Sequence, residues 1–144
     1  AYDSLSDGMK NLLNGLCTVN SSEKPDAAVT RVHRIADRPN DATDITTTVS
    51  HPIVRTHPET GRKALYCNDA HSMSIDGMTA AESRPLLQYL YSVQRREEWQ
   101  CRFHWREGSV AMWDNRCAQH NALNDYHGHQ RTMYRVTLKG DIPA

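Results

Sequence analysis

Trp113-Asp114-Asn115-Arg116-Cys117-Ala118-Gln119-His120, then Asp125-Tyr126, then Arg131-Thr132-Met133-Tyr134-Arg135, is the stretch on which the reading of this chain turns. One histidine stands eleven residues before one arginine and fifteen before a second. An imidazole is a metal ligand, and a guanidinium fork holds a carboxylate or a similar oxyanion through two parallel hydrogen bonds. Two arginines four apart on a strand point to the same face. A histidine and two such arginines are half of a metal and oxyacid site. The other half is expected as a His-x-Asp or His-x-Glu pair upstream.

The neighbouring segments read as β structure. Trp99 to Trp105 alternates as a strand, Arg106-Glu107-Gly108 is a turn, and Ser109 to Trp113 is a second strand. Gln130 to Leu138 is a third, with Arg131, Met133 and Arg135 on one face. Late strands joined by tight turns predict an antiparallel sandwich or barrel.

Further upstream, His51-Pro52-Ile53-Val54-Arg55-Thr56-His57-Pro58 is extended, because each proline biases its predecessor to β or polyproline geometry. Glu59-Thr60-Gly61-Arg62 is a turn and Lys63 to Cys67 a strand, so residues 52–67 are expected to form a hairpin. Thr79-Ala80-Ala81-Glu82 is a capping box, opening a helix to about Gln94 with Leu86, Leu87, Leu90 and Val93 inward. Residues 3–17 are predicted as a helix capped by Ser4 or Ser6, with Gly15 near its end. Residues 18–50 form a polar stretch with Pro25 and Pro39, read as an insertion or mobile loop in which Val29 to Ile35 is a helical turn or a short strand. The expected division is residues 1–50, a helix plus polar loop region, and residues 51–144, the β-rich part.

Composition narrows the function. The chain has 144 residues, 38% hydrophobic and 24% charged, with 17 basic and 17 acidic side chains. A balanced charge gives no support for nucleic-acid binding. No apolar run approaches the roughly 20 residues that span a bilayer. The start, Ala1-Tyr2-Asp3-Ser4, has neither the basic region nor the apolar core of a signal peptide. Cys17, Cys67, Cys101 and Cys117 form no CxxC pair, which argues against a zinc knuckle and for reduced thiols in a cytoplasmic protein.

Residues 51–143 resemble the C-terminal half of the taurine dioxygenase family of iron(II)- and 2-oxoglutarate-dependent oxygenases. The resemblance rests on His51 to Arg62, Ala64 to Asn68, Gly77-Met78 with Glu82-Ser83, Gln100 to Phe103, and Gly108 to Arg116. It continues through His120, Asp125-Tyr126, Arg131, Arg135 and Gly140-Asp141. It implies a mainly β fold with flanking helices, the double-stranded β-helix or jelly roll, incomplete within this chain. It also implies roles. His120 is the distal histidine of a two-histidine, one-carboxylate iron site. Arg131 pairs with the far carboxylate of 2-oxoglutarate, the co-substrate. Arg135 holds the acid group of a small anionic organic substrate, a sulfonate, sulfate ester or carboxylate, which is hydroxylated with O2. Trp113 and Tyr126 wall the pocket. His71 stands where the family often has an aromatic residue beside the pocket and is carried as a substrate-binding position. Asn121 stands where tyrosine is more usual, so the pocket is expected to be more polar.

No His-x-Asp is present, and the one His-x-Glu is His57-Pro58-Glu59. It falls in a turn that already matches the family where the family binds no metal, and it is not taken as the missing pair. Two readings remain. In one, the chain is the C-terminal part of a longer enzyme, which a start without methionine favours. In the other, it is a non-catalytic anion-binding or scaffold relative without a metal site. A homo-oligomer in which halves complete each other's barrel is a further expectation. His127-Gly128-His129 is read as a solvated loop, the three tryptophans as core, and Asp114 and Asn115 as turn stabilisers.

Overall fold

The structure is a computed structural model that describes residues 1–22, 48–123 and 125–143. A 3-10 turn (Tyr2–Ser4) leads into helix α1 (Asp7–Leu13). The first helix is therefore shorter than residues 3–17. Its start is set by Ser6, whose hydroxyl accepts the Met9 backbone N–H at 3.2 Å. Gly15, at φ 80°, turns the chain into strand β1 (Cys17–Ser21). Then come β2 (Thr48–Pro52), β3 (Val54–Thr56), β4 (Lys63–Leu65), β5 (Ser72–Ile75) and helix α2 (Ala80–Gln94). The segment Val29 to Ile35 lies outside the described residues.

β1 is the centre of a three-stranded antiparallel sheet in the order β2-β1-β5, with a register irregularity between Val19 and Asn20 against β5. This strand lies inside the stretch read from sequence as loop. It is polar because its buried side chains satisfy one another. The Asn20 amide donates to the Thr18 carbonyl and hydroxyl, both at 3.0 Å, and its oxygen accepts the Ser72 hydroxyl at 2.7 Å. Buried polar atoms so paired cost little, whereas unpaired ones cost on the order of 1–3 kcal/mol each.

β3 and β4 form the expected hairpin, with Val54 opposite Leu65 and Thr56 opposite Lys63. Its loop closes through the His57 N–H to the Arg62 carbonyl at 2.8 Å and the Gly61 N–H to the His57 carbonyl at 2.9 Å. Gly61 sits at φ 68°, a conformation that favours glycine. His51 and Pro52 belong to β2 instead, paired with Thr18 and Cys17.

Helix α2 begins at the predicted capping box. The Glu82 backbone N–H reaches the Thr79 hydroxyl, and the Glu82 carboxylate accepts the Thr79 N–H at 2.8 Å. Its inner face buries Leu87, Leu90, Tyr91 and Val93 against Leu5, Leu13, Ile53, Leu65, Cys67 and Ile75. Each large apolar side chain so buried contributes roughly 1.5–3 kcal/mol. Two polar ties fix the helix to the strands. The Ser83 hydroxyl accepts the Ile75 N–H at 3.0 Å, and the Gln94 amide donates to the carbonyls of Leu65 (3.2 Å) and Cys67 (3.0 Å). No helix among the described residues is long and apolar enough to cross a membrane.

The three late strands do not form. Trp99 to Trp105, Ser109 to Trp113 and Gln130 to Leu138 carry no ladder, and apart from the 3-10 turn Glu97–Trp99 the described residues after α2 are turns and irregular chain. Their alternating side chains stay in solvent: Met112 is 95% exposed and Tyr134 94%. The physical reason is that a strand's backbone groups need a partner on at least one side. None of the described strands pairs with this segment. The tryptophans expected in the core are partly exposed for the same reason: Trp99 46%, Trp105 41% and Trp113 39%.

Candidate functional site

The turn after Trp113 is the best-fastened part of the C-terminal third. Asp114 organises it locally, as its sequence position suggested. Its Oδ1 accepts the Arg116 backbone N–H at 2.8 Å, and its carbonyl accepts the N–H groups of Cys117 (3.2 Å) and Ala118 (2.9 Å). The Trp113 indole donates to the Asn115 side-chain oxygen at 2.9 Å.

The longer-range fastening has no local sequence signal. The Arg116 guanidinium grips the Asp114 carboxylate from Nε (3.0 Å to each oxygen) and Nη2 (2.7 Å), while its Nη1 reaches Glu59 Oε1 at 2.9 Å. His57 Nε2 lies 3.1 Å from Asp114 Oδ2. The other ring nitrogen, Nδ1, accepts the backbone N–H groups of Glu59 and Thr60, each at 3.3 Å. A nitrogen that accepts carries no proton, so the proton is assigned to Nε2, which donates to Asp114. Arg116 first, and His57 after it, hold the Asp114 carboxyl below the usual carboxylate range. Asp114 and Glu59 in turn hold the Arg116 guanidinium proton more tightly than usual.

His57, Asp114 and Cys117 are the only three donor side chains among the described residues close enough together for one ion. The chemistry does not fit a metal. The Asp114 carboxylate is already saturated by a guanidinium, and His57 has no free lone pair to offer. The sequence reading set aside His57-Pro58-Glu59 as a ligand pair, and this geometry agrees, since Glu59 pairs with Arg116.

His120 differs. It is exposed, its ring stands 5.0 Å from the Trp113 ring, and among the described residues no hydrogen bond engages its nitrogens. It fits the chemistry of one imidazole ligand of an iron site, and the described residues bring no second and third ligand beside it. Arg131 lies with its guanidinium carbon 5.1 Å from the centre of the Tyr126 ring, a cation–π contact. Arg135 is exposed. Arg131, Met133 and Arg135 were placed on one face of a strand; that strand is not formed, so no shared face is defined. His71 precedes β5, with its N–H on Asn68 Oδ1 at 2.9 Å and its carbonyl accepting from Ser21 at 3.0 Å. Among the described residues, no hydrogen bond, ion pair or ring contact joins His120 to Arg131, Arg135 or His71. His127-Gly128-His129 occupies an exposed turn, with Gly128 at φ 81°.

One buried cation has no acid partner among the described residues. Arg55 is 4% exposed and its Nε has no hydrogen-bond partner. Its guanidinium carbon sits 5.0 Å from the centre of the Tyr66 ring, which also meets His51 edge-on.

Solved structures give the class of the fold. A taurine dioxygenase from Burkholderia xenovorans matches with a TM-score of 0.62 at 34% identity, over 81% of this chain and 34% of that one. A putative alpha-ketoglutarate-dependent taurine dioxygenase from the same organism gives 0.63 at 34% identity, over 80% and 35%. The fold is thus the jelly roll of such dioxygenases, present in part. The sequence matches the family described as taurine catabolism dioxygenase TauD, TfdA family over residues 1–137, and the chain belongs to that family. Among curated relatives, an alpha-ketoglutarate-dependent sulfate ester dioxygenase of Pseudomonas putida is 35% identical over 100% of this chain and 48% of its own length. A putative alpha-ketoglutarate-dependent sulfonate dioxygenase of Schizosaccharomyces pombe is 33% identical over 99% of this chain and 35% of its own length. The chain therefore spans between about a third and a half of these relatives.

Proposed function

We propose that this chain is the C-terminal part of an iron(II)- and 2-oxoglutarate-dependent dioxygenase acting on a small organic sulfonate, sulfate ester or carboxylate in the cytoplasm. The observation that carries it is the ordered set His120, Arg131 and Arg135 in a chain matched to this family over residues 1–137. The names of its relatives support 2-oxoglutarate as co-substrate and a sulfur oxyanion as the substrate's acid group.

His120 offers iron(II) an imidazole that no hydrogen bond engages among the described residues. Bound iron supplies the activation of O2 that hydroxylation requires. Arg131 offers the fork for the far carboxylate of 2-oxoglutarate, fixing orientation as well as charge. Arg135 takes the acid group of the substrate and sets which C–H bond faces the metal. Trp113 shields one side of His120 from water. His71 borders the substrate site and makes it more polar than an aromatic residue does. Hydroxylation at the carbon next to the heteroatom then releases the sulfur oxyanion.

The test is 2-oxoglutarate affinity of the protein purified as its own gene encodes it, in wild type and Arg131→Ala, with iron present and oxygen excluded. Removing one partner of a paired carboxylate costs on the order of 2–5 kcal/mol, a weakening of roughly 30-fold or more. Unchanged affinity overturns the assignment.

A further inference from the structure

We infer that His57, Glu59, Asp114 and Arg116 form a latch that positions His120. The inference deepens the proposed function and rests on His120 being an iron ligand.

Among the described residues no strand pairs with the segment around His120. Residues 100–123 form no ladder, and most of their side chains are exposed. A metal ligand on such a segment has no fixed direction unless other contacts supply one, and ligand geometry must hold within about half an ångström. Contacts of this kind converge within seven residues of chain. At one end, Asp114 and Arg116 are bound to the β3–β4 loop through His57 and Glu59. At the other, the Gln119 amide donates to the Cys67 carbonyl at 2.9 Å. Cys67 is fully buried, and its carbonyl also receives Gln94 of α2. The residue after Gln119 is His120, whose Cα lies about 3.8 Å further along the chain. Trp113, the residue before Asp114, packs its ring on the His120 ring.

The parts of the latch are specific in chemistry. The planar guanidinium spans two carboxylates, which a lysine ammonium does not match in geometry. The His57 ring bridges two backbone N–H groups on one side and a carboxylate on the other, which requires the Nε2–H tautomer. These four residues touch neither substrate nor co-substrate in the proposed reading. They are positioning residues.

NMR on the protein as its own gene encodes it, without iron, tests the latch. In wild type, the His57 ring is expected as the Nε2–H tautomer with Nδ1 unprotonated, and contacts between the Trp113 and His120 rings are expected in nuclear Overhauser spectra. In Asp114→Asn, those ring contacts disappear and the Cys117 and Ala118 amides exchange faster, on the order of tenfold for one net hydrogen bond. Amides in the middle of α2 keep their protection. Arg116→Lys behaves like Asp114→Asn, because the fork is lost. Unchanged ring contacts and amide exchange in Asp114→Asn overturn the latch. If that variant does not fold, the wild-type tautomer decides: a proton on Nδ1 overturns the latch equally. A failure of His120 as ligand shows separately, as iron binding that survives His120→Ala while the latch measurements hold.

Discussion

Replacing Arg55 by methionine is expected to leave the protein as stable as before, or to stabilise it. Arg55 is 4% exposed, its Nε has no partner, and among the described residues no carboxylate pairs with it. A buried donor without a partner costs on the order of 1–3 kcal/mol. The stack on Tyr66, with the guanidinium carbon 5.0 Å from the ring centre, returns about 0.5–2 kcal/mol. These two effects nearly cancel. Methionine keeps the length of the stem, removes the orphaned donor and the charge, and leaves a thioether against the same ring at about 0.3–1.5 kcal/mol. The balance lies between no change and a gain of about 2 kcal/mol, in line with apolar replacement of other buried charges. Urea unfolding followed by the circular dichroism of the helices measures it. With a slope near 2 kcal/mol per molar, the midpoint rises by up to about 1 M. A loss of more than about 2 kcal/mol at unchanged slope refutes the reasoning and means that the guanidinium is paired with an anion.

Ser83→Ala removes the acceptor of the buried Ile75 N–H and is expected to cost about 1–3 kcal/mol; a change under about 0.5 kcal/mol in the same unfolding experiment contradicts the tie between α2 and β5. Leu90→Ala, at a fully buried site in α2, is expected to cost about 2–5 kcal/mol, and a neutral result misplaces the core. Burial, and the Arg55 charge after it, lower the pKa of His51 in the folded state. The unfolded chain then takes up the proton first, so stability is full above about pH 6.5 and falls as pH drops through and below that value. In His51→Gln the fall in urea midpoint from about pH 7.5 to about pH 5.5 is smaller, and an identical fall refutes the assignment. Burial pushes the Cys67 thiol up to about 12, while Cys101 and Cys117 are exposed. In the folded protein a thiol reagent at about pH 8 labels Cys101 and Cys117 and leaves Cys67 unmodified, which peptide mass spectrometry reads directly; prompt labelling of Cys67 contradicts its burial.

Legibility in the sequence followed the range of the forces. The capping box at Thr79 and Glu82, the inward face of α2 and the β3–β4 hairpin are set by neighbours a few residues apart, and local pattern found them. β1 escaped because its polarity is explained only by a partner in space: Asn20 is satisfied by Ser72, 52 residues away. The late strands show the opposite error. Alternation from Ser109 to Trp113 and from Gln130 to Leu138 states where strands are able to form, but a ladder needs a partner strand, and no described strand pairs with either segment. The candidate site divides in the same way. Spacing and family resemblance single out His120, Arg131 and Arg135 as candidates, and among the described residues no contact joins His120 to either arginine. The His57–Asp114 contact joins residues 57 apart, and nothing in local sequence announces it.

The measurement closest to the central claim is an anaerobic titration with iron(II) and 2-oxoglutarate. It uses the protein as its own gene encodes it and follows visible metal-to-ligand charge-transfer absorption. A band that appears in wild type and is lost in His120→Ala is the expected result. No band in wild type, or a band unchanged in His120→Ala, contradicts the assignment; with no band and a retained 2-oxoglutarate affinity, the chain is a non-catalytic anion-binding relative.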